Sequence, residues 1–388
     1  MKTLTISILV VLLATNAAAQ STRVEAIAEE QAEKAKQLGV EGPSDGEKIV
    51  RRLLLSPLLS GGDGIYPWFG SVYGGTGMGL GVGFLKRLQK ASYINLQSGI
   101  SLNNSMVLRG GIAAPELWRG KLQVDATGQW LDVRGVSFYG FGQDSSLENR
   151  ERFDYSPVEV NGNVTLRPMR FVSLTGSYAM LNFDTHRDTP LFSDADAPGL
   201  DRQLNYHVTR GTLLFDWRTS PGYSTRGGAY RATFEHNEES EGRPHSFHSQ
   251  EFEVVQLVPL VREQYVLAAR ALVTLTDPNP GHDLPVIMMP FLGSGSTLRG
   301  FANRRFTDRN RVLLSGEYRW RPSRYLDMAL FVDAGQVAAD RRQFDLNFFD
   351  VAWGLGARFH GAAFNALRVD VARGREGIRI VFSGSQPF

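Results

Sequence analysis

The sequence has no cysteine and no long uninterrupted hydrophobic segment. The absence of cysteine excludes disulfide frameworks, zinc–thiolate sites and thiol catalysis. No segment beyond the N-terminus approaches the roughly 18 consecutive apolar residues of a transmembrane helix. The formal net charge of +2 gives no reason to expect nucleic acid as a partner. The chain is therefore either soluble or crosses a membrane in a way that hydropathy does not detect.

Glycine and aromatic residues, in contrast, are abundant, with 41 Gly, 23 Phe, 12 Tyr and 6 Trp. The N-terminus begins with Lys2, continues with an apolar stretch over residues 4–14 and then has three alanines at residues 17–19. This order predicts a secretory signal peptide over residues 1–19. An uncleaved N-terminal anchor is the alternative, but the apolar stretch is short for a spanning helix. We therefore expect the mature chain to be exported.

Residues 20–64 differ in composition from the rest of the chain. Residues 24–36 consist mostly of helix-forming residues, and Gly39 and Pro43 end this pattern. The segment predicts a short periplasmic helix or a partly disordered leader, and it is too short to have a hydrophobic core of its own.

From about residue 65 to the C-terminus, apolar residues alternate with polar or small ones. In the clearest stretch, one face consists of glycines only and the other consists of Met78, Leu80, Val82 and Phe84. A phosphate-binding glycine loop is the alternative, but it requires a following helix, and no helical pattern follows. A period of two predicts β-strands.

Sixteen alternating segments follow one another, which is an even number, as in single-chain bacterial β-barrels. A soluble sandwich also alternates, but long strands with aromatic residues near their ends favour lipid outside and a polar lumen inside. Because backbone groups in hydrocarbon must all be paired, such a sheet must close. The predicted fold is all-β, a 16-stranded antiparallel transmembrane β-barrel over residues 65–388. The predicted strands are 66–73, 77–87, 91–102, 106–114, 119–138, 152–167, 171–184, 202–218, 227–239, 246–259, 265–276, 311–321, 326–335, 351–360, 366–373 and 377–384.

The connections between these segments predict the orientation of the barrel. Compact turns that contain proline alternate with longer polar loops, which are residues 139–151, 185–201, 277–310 and 336–350. Short turns on one side and long loops on the other are typical of outer-membrane barrels. We expect the outer membrane of a Gram-negative cell as the location, with both termini in the periplasm.

Three motifs in the last hundred residues indicate a family. They are Leu298-Arg299-Gly300-Phe301, Glu317-Tyr318-Arg319 and Phe331-x-Asp333-x-Gly335. In these motifs the chain resembles the superfamily of BamA/TamA-type assembly proteins, two-partner secretion transporters and bacterial surface antigens. The resemblance extends over roughly residues 65–388 and is strongest after residue 285. Leu298 departs from the family pattern, in which Val or Ile is commoner.

The resemblance implies that the sixth outer loop folds inward and that Glu317 and Asp333 hold Arg299 inside the lumen. The alternation supports this, because both acids lie on the polar face of their strands, and a guanidinium can bind carboxylates with two parallel hydrogen bonds. The alternative is that Arg299 is one of many basic residues in a solvated loop. Members that receive clients usually carry periplasmic POTRA modules, which residues 20–64 are too short to hold. The resemblance therefore implies a barrel-only member, and client docking does not carry over.

The last predicted strand has the apolar face Ile378, Ile380 and Phe382, and the sequence ends at Phe388. A terminal aromatic residue after an alternating strand resembles the signal that the outer-membrane assembly machinery reads. The expected signal consists of Phe388 and Phe382. Phe388 is also expected to fit an aromatic girdle at the membrane interface, and both interpretations can hold together.

Other groups of polar residues give no site. His245 and His248 with Glu251 have loose spacing for a metal site, and an acidic cluster at residues 194–201 lacks the regular spacing of a calcium loop. No hydrolase signature such as G-x-S-x-G occurs, so we expect no enzyme, metal or cofactor. The resemblance to the BamA/TamA superfamily implies insertion or translocation of protein or lipid at the outer membrane, and a passive pore for small solutes is the alternative. The expected partners are outer-membrane lipids and lipopolysaccharide, the assembly machinery during biogenesis, and an unfolded protein or lipid client.

Overall fold

The computed structural model describes residues 63–219, 223–261, 263–323, 326–360, 365–383 and 387–388. The predicted signal peptide and residues 20–62 of the predicted leader lie outside these described residues. The sixteen strands form one antiparallel sheet in which each strand pairs with its neighbours in the chain, and the sheet curves into a nearly closed barrel. The predicted fold class is confirmed.

The strands are numbered here in chain order. They are β1 Gly64–Gly70, β2 Gly79–Arg87, β3 Tyr93–Ser101, β4 Met106–Leu117, β5 Leu122–Phe138, β6 Glu151–Met169, β7 Val172–His186, β8 Gln203–Asp216, β9 Gly227–Glu239, β10 Phe247–Val261, β11 Tyr265–Pro278, β12 Asn310–Ser323, β13 Leu326–Ala338, β14 Asp350–His360, β15 Asn365–Gly374 and β16 Gly377–Ser383. Each predicted strand overlaps the observed strand of the same number. The predicted start of β5 at residue 119 is wrong because Trp118 and Arg119 have positive φ and form the turn after β4.

Helical structure is minor in the part of the chain that the structure describes. It consists of four 3₁₀ turns, Gln89–Ala91, Val286–Met288, Arg341–Gln343 and Leu346–Phe348. None of the helices in these ranges has the length and hydropathy needed to cross a membrane.

Exposed and buried side chains alternate along the strands, as the alternation in the sequence predicts. On β13, Leu330 and Val332 are exposed, whereas Phe331 and Asp333 between and beside them are buried. On β16 the exposed apolar side chains are Ile378, Ile380 and Phe382. Exposed apolar residues in such a continuous band fit contact with lipid rather than with water.

The two ends of the barrel differ in their connections. The four longest connections, residues 139–150, 187–202, 279–309 and 339–349, all lie at one end, here called the long-loop end. The opposite, short-turn end includes the connections of residues 118–121 and 170–171. This asymmetry is the one that the sequence predicts.

A hydrophobic cluster fills the lumen towards the long-loop end. Its members come from the inner faces of the strands and from the loops that fold over them, and they include Phe138, Phe153, Phe183, Leu200, Leu204, Tyr206, Leu284, Val286 and Met289. All of these side chains are almost completely buried. The lumen is therefore packed with side chains at this end.

Strands β1 and β16 form the two ends of the sheet, and no ladder of backbone pairs joins them among the described residues. We call this junction the seam. On the inner side of β1, the ring of Tyr66 lies over the position of a Cβ at Gly83, and the ring of Trp68 lies 2.5 Å from an ideal Cβ at Gly99. The hydroxyl of Tyr66 donates a hydrogen bond to Asn95 Oδ1 on β3 at 2.8 Å. The ring of Tyr66 thus occupies the space that a side chain at Gly83 of β2 would need, and the ring of Trp68 does the same at Gly99 of β3.

This packing can be tested with Gly83→Val. A branched side chain at this position overlaps the ring of Tyr66, and we expect overpacking to cost about 1–3 kcal/mol of unfolding free energy. The measurement is the temperature at which the compact folded band in unheated gel samples is lost. Gly162→Val on β6 is the control, because no atom lies within 4 Å of an added Cβ there. Equal losses in the two variants would refute the role of the ring.

Candidate functional site

The candidate site is formed by the connection between β11 and β12, residues 279–309, here called loop 6. The loop folds back on itself through the short ladder between Phe291–Leu292 and Phe306–Thr307. Its tip residues Leu298, Arg299 and Phe301 are buried, with only 1 % of Arg299 exposed. Arg299 is therefore not a solvated residue of an outer loop in this structure.

The guanidinium of Arg299 meets carboxylates from three strands. Nε and Nη2 donate to the two oxygens of Asp333 on β13 at 2.7 and 2.8 Å. Nη1 donates to Glu317 on β12 at 2.6 Å and to Asp370 on β15 at 3.3 Å. A bidentate pair of this kind is directional as well as strong.

Two further contacts complete the surroundings of Arg299. The ring of Phe331 on β13 lies with its centroid 3.5 Å from the guanidinium carbon, which is a close cation–π contact. The backbone N–H of Arg299 donates to Asp333 at 3.3 Å. Burial opposes the charge of Arg299, but the hydrogen bond to Asp333 and the charge of Glu317 outweigh it and hold the pKa of the guanidinium above its usual value.

The acids of the site also bind arginines of the barrel wall. Glu317 accepts hydrogen bonds from Arg358 on β14 at 2.7 Å and from Arg319 at 2.7 Å. Asp370 lies 3.3 Å from Nε of Arg368 on its own strand. Four buried guanidiniums therefore share three buried carboxylates: each group contacts at least one opposite charge, and the cluster as a whole keeps one positive charge.

Sequence reasoning missed the roles of Arg358, Arg368 and Asp370. In the sequence these residues alternate with apolar ones in the segments that form β14 and β15, but no function was assigned to them. The available signal was a charged side chain on the lumen-facing side of a membrane strand, since such residues are costly and usually paired.

Small residues allow loop 6 to approach the wall. An ideal Cβ on Gly300 lies 2.7 Å from the backbone N of Gly374 and 2.8 Å from Cβ of Ala352, so a side chain there would separate the tip from β14 and β15. Phe301 packs against Phe306 with ring centroids 5.2 Å apart. Gly335, the last of the residues that the resemblance implicated, lies on β13.

Phe388 and Phe382 take different positions. Phe382 is exposed on the outer face of β16, as a girdle residue would be. Phe388 packs against buried residues of β10 and β11, and its ring centroid lies 5.3 Å from the guanidinium carbon of Arg319 on the lumen side. The girdle interpretation of Phe388 is therefore wrong. Its role as an assembly signal stays a prediction.

The residues considered for a metal site do not converge. His248 stacks on His236 on the outer face, whereas Glu251 binds Arg311 inside the lumen. Asp194 and Asp201 both bind the buried Arg187. Across the described ranges, no group of three or more potential ligands is arranged to hold a metal ion.

The family model of the Omp85 superfamily domain matches residues 129–386, which is more than half of the chain. A search of curated protein sequences gives no match. Among solved structures, BamA from Haemophilus ducreyi lacking POTRA domains 1–3 is similar, with a TM-score of 0.61 and 13% identity over 83% of this chain and 70% of that chain.

Two CdiB structures are similar as well. The CdiB structure from Escherichia coli has a TM-score of 0.56 and 14% identity, and covers 82% of this chain and 61% of its own. The CdiB structure from Acinetobacter baumannii has a TM-score of 0.53 and 13% identity, over 82% of this chain and 58% of its own. At these identities the likeness supports the fold, and this chain spans about three fifths of the two CdiB chains.

The contacts of Arg299 predict that removal of its side chain greatly lowers the unfolding free energy of the barrel. Arg299→Ala leaves the buried Asp333 without the guanidinium that it binds, whereas Glu317 keeps Arg358 and Arg319, and we expect a loss of about 3–5 kcal/mol. Asp370→Asn keeps the shape and removes one charge, and we expect a smaller loss of about 1–3 kcal/mol.

The measurement is urea unfolding of the purified barrel in lipid vesicles. Arg309→Ala is the control, because Arg309 is exposed in the same loop and its removal should change the unfolding free energy by about 0.5 kcal/mol or less. An Arg299→Ala barrel as stable as this control would show that the network contributes nothing.

Proposed function

Since the chain belongs to the Omp85 superfamily, we propose that it inserts or translocates protein or lipid at the outer membrane, using the seam between β1 and β16. Barrels of this superfamily lie in the outer membrane. In the proposal the long-loop end faces outward and both termini are periplasmic, as the distribution of loop lengths favours.

The observation that carries the proposal is the burial of Arg299 against carboxylates of β12, β13 and β15. A loop that served only as a surface connection would gain nothing from placing a charge in the lumen, where it needs three acids to offset its desolvation. Held in this way, loop 6 is a fixed element inside the barrel. Among the residues that the structure describes, no ladder of backbone pairs joins the two end strands of this barrel.

The proposed function depends on backbone hydrogen bonding at the seam. Strand edges without a partner present backbone N–H and C=O groups, which cannot stay unpaired in hydrocarbon. A client strand that pairs with such an edge satisfies the backbone hydrogen-bonding groups of both chains, as when an extended peptide adds a strand to the edge of a sheet. For a lipid client, the same seam would offer a route between the lumen and the bilayer. The proposal requires no catalytic step.

The alternative function is a passive pore for small solutes. The hydrophobic cluster that fills the lumen towards the long-loop end argues against it, because Phe138, Phe183 and Leu204 occupy the space that water would need. Outer-membrane lipids and lipopolysaccharide are the proposed surroundings of the barrel. The assembly machinery is its proposed partner during biogenesis.

Single-channel conductance in a planar bilayer distinguishes the two functions. We expect the wild type to be mostly closed with brief openings. We expect Arg299→Ala to open far more often, because loop 6 is no longer held in the lumen. The Arg309→Ala variant should behave as the wild type.

A large, steady current in the wild type would contradict the proposal and favour the passive pore. An Arg299→Ala barrel that is folded and as closed as the wild type would contradict the role of loop 6. Folding of each variant is checked first by its heat-dependent mobility in gels.

A further inference from the structure

Loop 6 contacts the last two strands of the barrel beyond the Arg299 network. Arg305 Nε donates to Glu376, in the turn between β15 and β16, at 2.6 Å, and only 3% of the arginine side chain is exposed. Arg368 on β15 donates through Nη2 to the carbonyl of Gly295. An ideal Cβ on Gly295 lies 2.6 Å from Cγ1 of Val381 on β16. The loop is therefore in direct contact with the β16 side of the seam.

The same loop also contacts the other side of the seam. Asn303 Nδ2 donates to the carbonyl of Gly74, in the connection between β1 and β2, at 2.8 Å. Ideal Cβ positions on Gly74 and Gly75 lie 3.8 and 3.0 Å from Cγ of Asn303, so the asparagine lies flat against this connection. Asn303 and Arg305 are two residues apart, yet they contact opposite edges of the seam.

From these contacts we infer that residues 295–305 of loop 6 form a strap across the seam, and that Asn303 and Arg305 are positioning residues that set the separation of β1 and β16. This inference rests on the proposed function only for its consequence in insertion. The strap does what the ladder of a closed sheet would do, but through side chains. Because Arg299 fixes the loop to β12, β13 and β15, the strap has a rigid base.

The two ends of the strap differ in strength. The contact to Glu376 joins two charged groups at 2.6 Å, and both side chains are largely buried. The contact to Gly74 is a single hydrogen bond between neutral groups on the exposed side of the loop. Charge-assisted hydrogen bonds are roughly twice as strong as neutral ones. The edge at β1 therefore detaches before the edge at β16.

The separation of the seam can be measured directly because the chain has no cysteine. Spin labels are attached to Phe69→Cys on β1 and Ile378→Cys on β16, which are 59% and 66% exposed. Pulsed electron paramagnetic resonance then gives the distance distribution between the labels. Adding Asn303→Ala is expected to lengthen and broaden this distribution.

The control is Asn103→Ala, because Asn103 makes the same kind of bond to the carbonyl of Arg134, at 2.9 Å, away from the seam. It should leave the distribution as in the labelled wild type. An unchanged distribution in Asn303→Ala, or an equal change in both variants, would overturn the inference.

A disulfide tests the consequence for function. Gly74→Cys with Asn303→Cys joins the strap covalently to the β1 side, and we expect at least a tenfold loss in the rate at which the barrel inserts an unfolded outer-membrane protein into vesicles. Reduction should restore the rate. Full insertion by the oxidised form would overturn the strap. If the wild type inserts nothing, the proposed function fails, while the label distances still decide whether the strap exists.

Discussion

A guanidinium that leaves water has to be matched by carboxylates, and the position of loop 6 depends on how Arg299 meets that requirement. Its acids come from β12, β13 and β15, so the charge can be neutralised only when these three strands are in register and the loop tip lies between them. The network therefore couples the fold of a long connection to the correct pairing of the last third of the barrel. Gly300 contributes because it lets the tip approach β14 and β15 to the distance at which these bonds form.

A second constraint acts on the barrel wall. A sheet can cross a membrane when it is closed, because closure pairs every backbone N–H and C=O group. In this barrel, no ladder of backbone pairs joins the two end strands among the residues that the structure describes. Side chains of loop 6 take part of that role, through Asn303 on one edge and Arg305 on the other. The barrel thus combines an apolar outer face with an interior that is packed with side chains towards the long-loop end.

Much of the wall could be predicted from the sequence, because a period of two is a local property and each of the sixteen segments shows it. The same parity puts Glu317 and Asp333 on the polar face of their strands, and both side chains are buried in the structure. Asp370 and Asn303 could not be assigned, because their partners depend on strand register and on the path of a loop of thirty-one residues, which no local pattern encodes. The position of Phe388 was missed for a related reason: a chain end can fold back, and alternation says nothing about where it goes.

The aromatic side chains that lie on the glycine face near the seam have a mechanical consequence. Tyr66 extends from β1 over β2 and hydrogen-bonds to β3, and the ring of Trp68 covers a glycine of β3 as well. Peeling β1 alone would break these contacts in addition to its backbone pairs. The first three strands are therefore expected to move as one rigid body, roughly 10 Å wide at the usual strand spacing. Any movement at that edge is then a hinge motion of a hairpin and its neighbour rather than the fraying of a single strand.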